Sequence, residues 1–420
     1  MHDFKYRERD LYCEDVLIQD IAEEVGTPFY LYSYNTLRNH FLVFDEAFKD
    51  IPHMICFAMK ANSNLSILRI FLREGGGLDI VSGGELYRAL LAGADPQKIV
   101  YAGVGKTREE IRYGLESDIL MFNVESSQEL FLIDKVAEDL GCKARVALRV
   151  NPDIDPMTHP YISTGLKTHK FGIDIKNALK EYKLAESLEY IEIVGIHKHI
   201  GSQITQTSPF VEALKKIILL AKSLKEEGID IRYLNLGGGL GITYKDETPP
   251  HPRDLAAEVI PLLSGTDYTI IFEPGRVIVG NAGILVTKVL YTKFGEGKGF
   301  LIVDAGMNDM IRPSLYNSYQ EILPLKRDTT SHKIVVDVVG PICESGDFFA
   351  KDRVLPDLKR DQLIVLMSAG AYGFTMSSNY NSRPRVPEVL VKGKEFFMIR
   401  KRESYEDLVK GEEIPEFLYL

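Results

Sequence analysis

The sequence has few cysteines, no excess of positive charge and no long apolar run, and each shortage removes a class of protein. The four cysteines, Cys13, Cys56, Cys142 and Cys343, lie far apart and form no CxxC pair, so neither a disulfide framework nor a cysteine zinc site is expected. Fifty Lys and Arg face sixty Asp and Glu, a net charge of -10. Phosphate backbones are bound chiefly through clustered basic charge, so nucleic acid and anionic membrane are not expected partners. No apolar stretch approaches the ~20 residues that span a bilayer. Residues 2–10 are too charged for the apolar part of a secretory signal, and a cytoplasmic location is the expectation.

What remains is ordinary globular material: 420 residues, 45% hydrophobic and 26% charged, long enough for a large core and, at roughly 150 residues per domain, for two or three domains. Apolar runs of strand length alternate with amphipathic runs of helical spacing from residue 54 to about residue 275. Strands are expected at 54–60, 78–82, 99–102, 119–124, 145–150, 191–199, 233–236 and 268–273, with helices such as 65–74, 127–140 and 209–227 between them. About eight such units in roughly 220 residues predict a closed parallel (β/α)8 TIM barrel over residues 34–275. After residue 275 helical spacing largely disappears and short β-rich runs follow. The apolar run 28–32 would be a ninth barrel strand, so residues 1–33 are grouped with 276–420 in a second, mostly β domain. The polar segment 151–170 reads as a loop.

A barrel places its chemistry at the C-terminal ends of its strands. Lys60 closes an apolar strand, where partial desolvation can lower an amine's pKa toward a nucleophile; taken alone, a lysine there more often snorkels into water. His197 and His199 lie on one face of a strand, a geometry open to a metal, to stacking or to acid–base work; with no third ligand at a strand end, no metal site is expected. Gly237-Gly238-Gly239 with Arg276 can cradle a phosphate or can be a plain turn. Glu273 ends an apolar strand, where a carboxylate needs a cationic or N–H partner. Arg276 is one candidate, a pyridinium nitrogen another. An aldehyde-binding lysine, a phosphate cradle, a ring-facing histidine and a carboxylate for a ring nitrogen together meet the needs of pyridoxal 5'-phosphate.

These positions lie within Phe57-Ala58-Met59-Lys60-Ala61-Asn62, Asp79-Ile80-Val81-Ser82-Gly83-Gly84-Glu85, His199-Ile200-Gly201-Ser202-Gln203, residues 236–241 and Glu273-Pro274-Gly275-Arg276. With Arg312-Pro313-Ser314-Leu315-Tyr316, Cys343-Glu344-Ser345-Gly346-Asp347 and Ala371-Tyr372-Gly373, the chain resembles, over nearly its whole length, the barrel-type (fold type III) pyridoxal-phosphate decarboxylases. The resemblance implies that Lys60 holds the cofactor covalently, His199 stacks on its ring and Glu273 pairs with the ring nitrogen. Ser202, Gly238, Gly239, Gly275, Arg276 and Tyr372 are implied as phosphate or cofactor neighbours, and Cys343 as the proton donor. Arg276, Arg312, Tyr316, Glu344 and Tyr372 are implied substrate contacts. Arg312 and Tyr316 suit a distal carboxylate and Glu344 a distal ammonium. Ornithine-type relatives carry an aspartate after the equivalent cysteine and lack the Arg-Pro-Ser-Leu-Tyr segment, so the resemblance favours meso-2,6-diaminopimelate, with L-lysine and carbon dioxide as products. It further implies a homodimer whose partner supplies Cys343, Glu344 and Tyr372 to each site.

Other readings stay open at this stage. Decarboxylation of ornithine, arginine or lysine uses the same machinery. An alanine-racemase-like enzyme shares the cofactor but pairs the ring nitrogen with an arginine. A catalytically silent regulatory relative would be expected to have lost some of Lys60, Cys343 or Tyr372, and a cofactor-free barrel using the glycines for a substrate phosphate would be colourless. The basic Lys167-Thr168-His169-Lys170 reads equally as a solvated loop and as a gate near the substrate.

Overall fold

The structure is a computed structural model and describes residues 2–155, 170–328 and 330–419. Its contacts divide the chain into two compact units, Leu37–Val279 and Met1–Thr36 with Gly280–Leu420.

Eight parallel strands close the first unit: β1 (His53–Ala58), β2 (Gly77–Ile80), β3 (Ile99–Tyr101), β4 (Met121–Val124), β5 (Ala144–Asn151), β6 (Ile191–His197), β7 (Tyr233–Asn235) and β8 (Thr269–Phe272). Each pairs with the next and β8 returns to β1, so the sheet has no free edge. The expected TIM barrel is therefore present. The helices between the strands start where the sequence offers a cap. Asn64, Ser82 and Ser126 each accept an N–H of the first turn that follows, and Thr107 with Glu110 forms a capping box.

Inside the barrel, side chains change character along the axis. Cys56, Val100, Met121, Ala147, Val194 and Ile271 form an apolar layer, with Tyr233 packed against it. Two residues further along, on the same strand face, stand Asn123, Arg149, Asn235 and Glu273, all buried. On β6 the step from Val194 to His197 is three, because the register is irregular between Ile193 and Gly195. The period-two repeat thus stacks a polar layer on an apolar floor at the C-terminal mouth.

In the second unit the expected strand near residue 30 is Phe29–Ser33, fully buried. It pairs antiparallel with Gly283–Gly295 and parallel with Glu388–Lys392, at the centre of a mixed sheet. Phe29, Leu31, Ile284, Val286, Val365, Met367, Val389 and Val391 build its core. Tyr32 Oη donates to Glu388 Oε1 at 2.8 Å and Arg400 Nε to Glu388 Oε2 at 2.5 Å, which satisfies a fully buried carboxylate. The meander Phe4–Arg7, Asp10–Cys13 and Val16–Leu17 is too short and mixed to be read from the sequence.

Candidate active site

Lys60 lies just beyond β1, in a single 3-10 turn, Met59–Ala61, instead of closing the strand. Its Nζ donates to Asp79 Oδ2 at 2.5 Å; the lysine side chain is 36% exposed and the aspartate fully buried. Burial, then the neighbouring Glu273 carboxylate, pushes Asp79 up to about 7, against the pull of Lys60. Two buried carboxylates so close share one favourable ionisation, and Glu273 takes it. Burial alone would raise Glu273 as well. His197 first, by charge and hydrogen bond, and then Lys60 instead hold it below the ordinary carboxylate range.

Glu273 is held by groups from three other strands. Asn235 Nδ2 donates to Oε1 at 2.6 Å and Asn123 Nδ2 to the same oxygen at 3.2 Å, while His197 Nε2 lies 3.3 Å from Oε2. Asn123 is placed in turn by Lys106, whose Nζ donates to the Asn123 carbonyl at 2.9 Å and to Glu129 Oε1 at 2.6 Å. Arg149 Nη1 donates to Glu125 Oε1 at 2.6 Å, extending the buried charges around the mouth. Asp79 Oδ1, Asn123 Oδ1 and His197 Nδ1 are buried without a hydrogen-bond partner among the described residues.

His199 accepts at Nδ1 from the Gly238 N–H, 3.1 Å away. Desolvation, then Arg149 and Lys60, puts its pKa well below the usual imidazole value, so it is neutral with its proton on Nε2. Gly238 must be glycine: a Cβ there would stand 2.0 Å from the Glu273 carbonyl oxygen. One of the turn's amides therefore serves the histidine. The Gly239 N–H makes no hydrogen bond among the described residues. Arg276 is buried beside the turn and donates from Nη1 to Tyr244 Oη at 2.6 Å and from Nη2 to Ser202 Oγ at 3.1 Å. At Gly275 a Cβ would meet the Ala61 Cβ at 3.0 Å.

The structure thus brings Lys60, His199, Glu273, Ser202, Gly238, Gly239, Gly275 and Arg276 to one end of the barrel. Asp79 stands in one of the sequence motifs with no role assigned to it, and Asn123, Asn235, Lys106 and Tyr244 are not singled out from the sequence. Asp79, Asn123 and Asn235 shared a readable sign, a lone polar residue inside an apolar strand.

In the second unit, Arg312 is buried in the short helix Arg312–Tyr316, and Tyr316 is partly exposed. Cys343 and Glu344 are exposed. The Cys343 N–H donates to Asn381 Oδ1 at 2.9 Å, and Tyr380 Oη to Glu344 Oε2 at 3.3 Å. Asp347 braces this loop by accepting from Met307 N at 2.7 Å and Ile342 N at 2.7 Å. Tyr372 holds a left-handed backbone, φ 57°. Residues 167–169 of the basic loop lie outside the described residues. Among the described residues no group of three His, Cys, Asp or Glu gathers to hold a metal, no disulfide forms, and no helix is long and apolar enough to cross a membrane.

Residues 34–280 match the family model described as pyridoxal-dependent decarboxylase, pyridoxal binding domain, which fixes the class of the barrel. Over 97% of its length the chain is 52% identical to a diaminopimelate decarboxylase of Aquifex aeolicus, covering 96% of that protein. Among solved structures it is similar to diaminopimelate decarboxylase from Helicobacter pylori complexed with L-lysine, at 46% identity and TM-score 0.90, covering 94% of this chain and 98% of that one. It is similar also to diaminopimelate decarboxylase from M. jannaschii in co-complex with L-lysine, at 41% identity and TM-score 0.94, covering 100% of both chains. The chain belongs to the diaminopimelate decarboxylase family of pyridoxal-dependent enzymes.

Proposed function

We propose that the protein uses pyridoxal 5'-phosphate to decarboxylate meso-2,6-diaminopimelate to L-lysine and carbon dioxide, the closing step of lysine biosynthesis. The observation that carries this reading is the Glu273 carboxylate, kept anionic by His197 and Lys60 within the buried polar layer. An anion there favours protonation of a heteroaromatic nitrogen. The unpaired acceptors Asp79 Oδ1 and Asn123 Oδ1, the Lys60 amine and the glycine turn complete a set of polar groups that fits this cofactor. Named relatives at about half identity, and the two relatives bound to L-lysine, support the substrate.

The barrel is the cofactor-binding domain in this reading. Lys60 would bind the aldehyde, His199 would face the ring, and Ser202, Gly238, Gly239, Gly275, Arg276 and Tyr372 would hold the phosphate and its surroundings. The bound cofactor supplies an electron sink for the pair left on the α-carbon when carbon dioxide departs. Asp79 keeps the Lys60 Nζ oriented by accepting its hydrogen bond at Oδ2. A neutral His199 would face the ring without opposing its charge. Arg276, Arg312 and Tyr316 would bind carboxylates of the substrate, Glu344 its distal ammonium, and the Cys343 thiol would deliver the proton that replaces carbon dioxide. The proposal includes a homodimer in which Cys343, Glu344 and Tyr372 serve the partner's site, and a cytoplasmic location.

The test is carbon dioxide release from diaminopimelate, ornithine, arginine and lysine side by side, with borohydride reduction of the holoenzyme and peptide mapping. Turnover of diaminopimelate alone and a pyridoxyl group on Lys60 are expected. A colourless protein in the presence of the cofactor, or a label elsewhere, would sink the reading.

A further inference from the structure

Lys198 stands between the two histidines, and the alternation that turns His197 and His199 toward the barrel axis turns Lys198 outward, behind the mouth. It is 1% exposed. Its side chain lines a cavity of about 20 Å³ together with residues 237–239, the remaining wall being apolar and including Phe44, Phe210, Leu255 and Val259. Among the described residues Nζ has no hydrogen-bond acceptor and no carboxylate partner; the Phe210 ring centroid lies 5.2 Å away. Among the described residues, neither the helices that supply these side chains nor β8 presents a titratable group to the cavity, and Glu273 is the charge that acts on Lys198. A buried cation with only an aromatic face for company is costly unless an anion balances it.

We propose that Lys198 is a positioning residue for the cofactor phosphate: from behind the glycine turn it strengthens the field that holds the dianion, and it takes up a proton when the phosphate arrives. This rests on the reading that residues 237–239 border the phosphate. The cavity has room for about one water, so no ligand reaches Nζ and the influence passes through the turn. In a low-dielectric wall such an influence is strong. Desolvation, opposed by Glu273, lowers Lys198 to about 7, so its charge is poised to respond to a new anion near neutral pH. Linkage makes the effect reciprocal: the factor by which phosphate raises proton affinity at Lys198 is the factor by which charged Lys198 raises phosphate affinity. The gain is full below about 7 and disappears as pH climbs through the higher value of the loaded protein.

Lys198→Met keeps the length and removes the charge, and losing an unpaired buried ammonium is neutral or stabilising for the fold. Dissociation constants for pyridoxal phosphate, and for pyridoxal as the phosphate-free probe, are measured on the full-length apoprotein and on K198M from about pH 6.5 to about pH 9.5. At the acid end the parent is expected to bind pyridoxal phosphate on the order of tenfold tighter than K198M, a one-unit pKa change, and the gap is expected to close at the alkaline end. Pyridoxal should show no gap. Parallel profiles for parent and variant overturn the proposal, and a parent that binds pyridoxal phosphate no better than pyridoxal overturns the phosphate assignment with it. If K198M does not fold, calorimetry of the parent in two buffers of unequal ionisation heat decides: at about pH 8, proton uptake must be greater with pyridoxal phosphate than with pyridoxal, and equal uptake refutes the role.

Discussion

The Gly238 N–H donates to Nδ1 of His199 at 3.1 Å, so a backbone amide chooses the tautomer of the imidazole at the barrel mouth. With desolvation, Arg149 and Lys60 all disfavouring the cation, the ring should stay neutral and Nε2-protonated between about pH 6 and 8. Nitrogen-15 spectra of histidine-labelled protein test this; a titrating His199, or a proton on Nδ1, contradicts it.

Asp79 is harder to ionise in the folded protein than in the unfolded chain, where 3.8 is the reference, against about 7 when buried. Its contribution to stability is therefore complete below 3.8 and is lost as pH rises through about 7. Asp79→Asn should gain on the parent as pH climbs through that window. Urea midpoints of both apoproteins across the range measure it, and a constant difference between them counts against the assignment.

Lys106 and Glu129 form a buried pair at 2.6 Å, their side chains 1% and 8% exposed. Removing one partner strands the other charge, so Lys106→Met or Glu129→Leu should each cost about 3–5 kcal/mol, whereas the double variant should recover most of the loss. Denaturant unfolding of the four proteins gives the coupling. Additive single effects would mean that the pair is not energetically linked.

Arg312→Ala should lower kcat/KM for diaminopimelate about ten- to hundredfold, the worth of one charge-assisted hydrogen bond, while leaving cofactor binding intact. Equal losses on diaminopimelate and on a substrate lacking the distal carboxylate would remove Arg312 from recognition.

The barrel was legible because parallel strands, buried on both faces, leave near-continuous apolar runs between capped helices. The ends of those runs exposed Lys60 and Glu273 directly. The groups that tune them were harder to see. Asn123 and Asn235 meet at Glu273 only because closure brings β4 and β7 to β8, and pairing across a ring is not written in local periodicity. His197 reaches Glu273 through an irregular register on β6 that composition does not announce. Nothing in the sequence marks Lys198, which lies between two histidines; its burial and the cavity it lines show which way it points.

The central strand Phe29–Ser33 of the second unit has one neighbour that begins at Gly283 and another that begins at Glu388. As the chain leaves the ribosome, every strand of the barrel is available before either of these exists. A message cut short before codon 388 would therefore yield a closed barrel tethered to an apolar strand with an open edge, a template for aggregation and not a half-working enzyme.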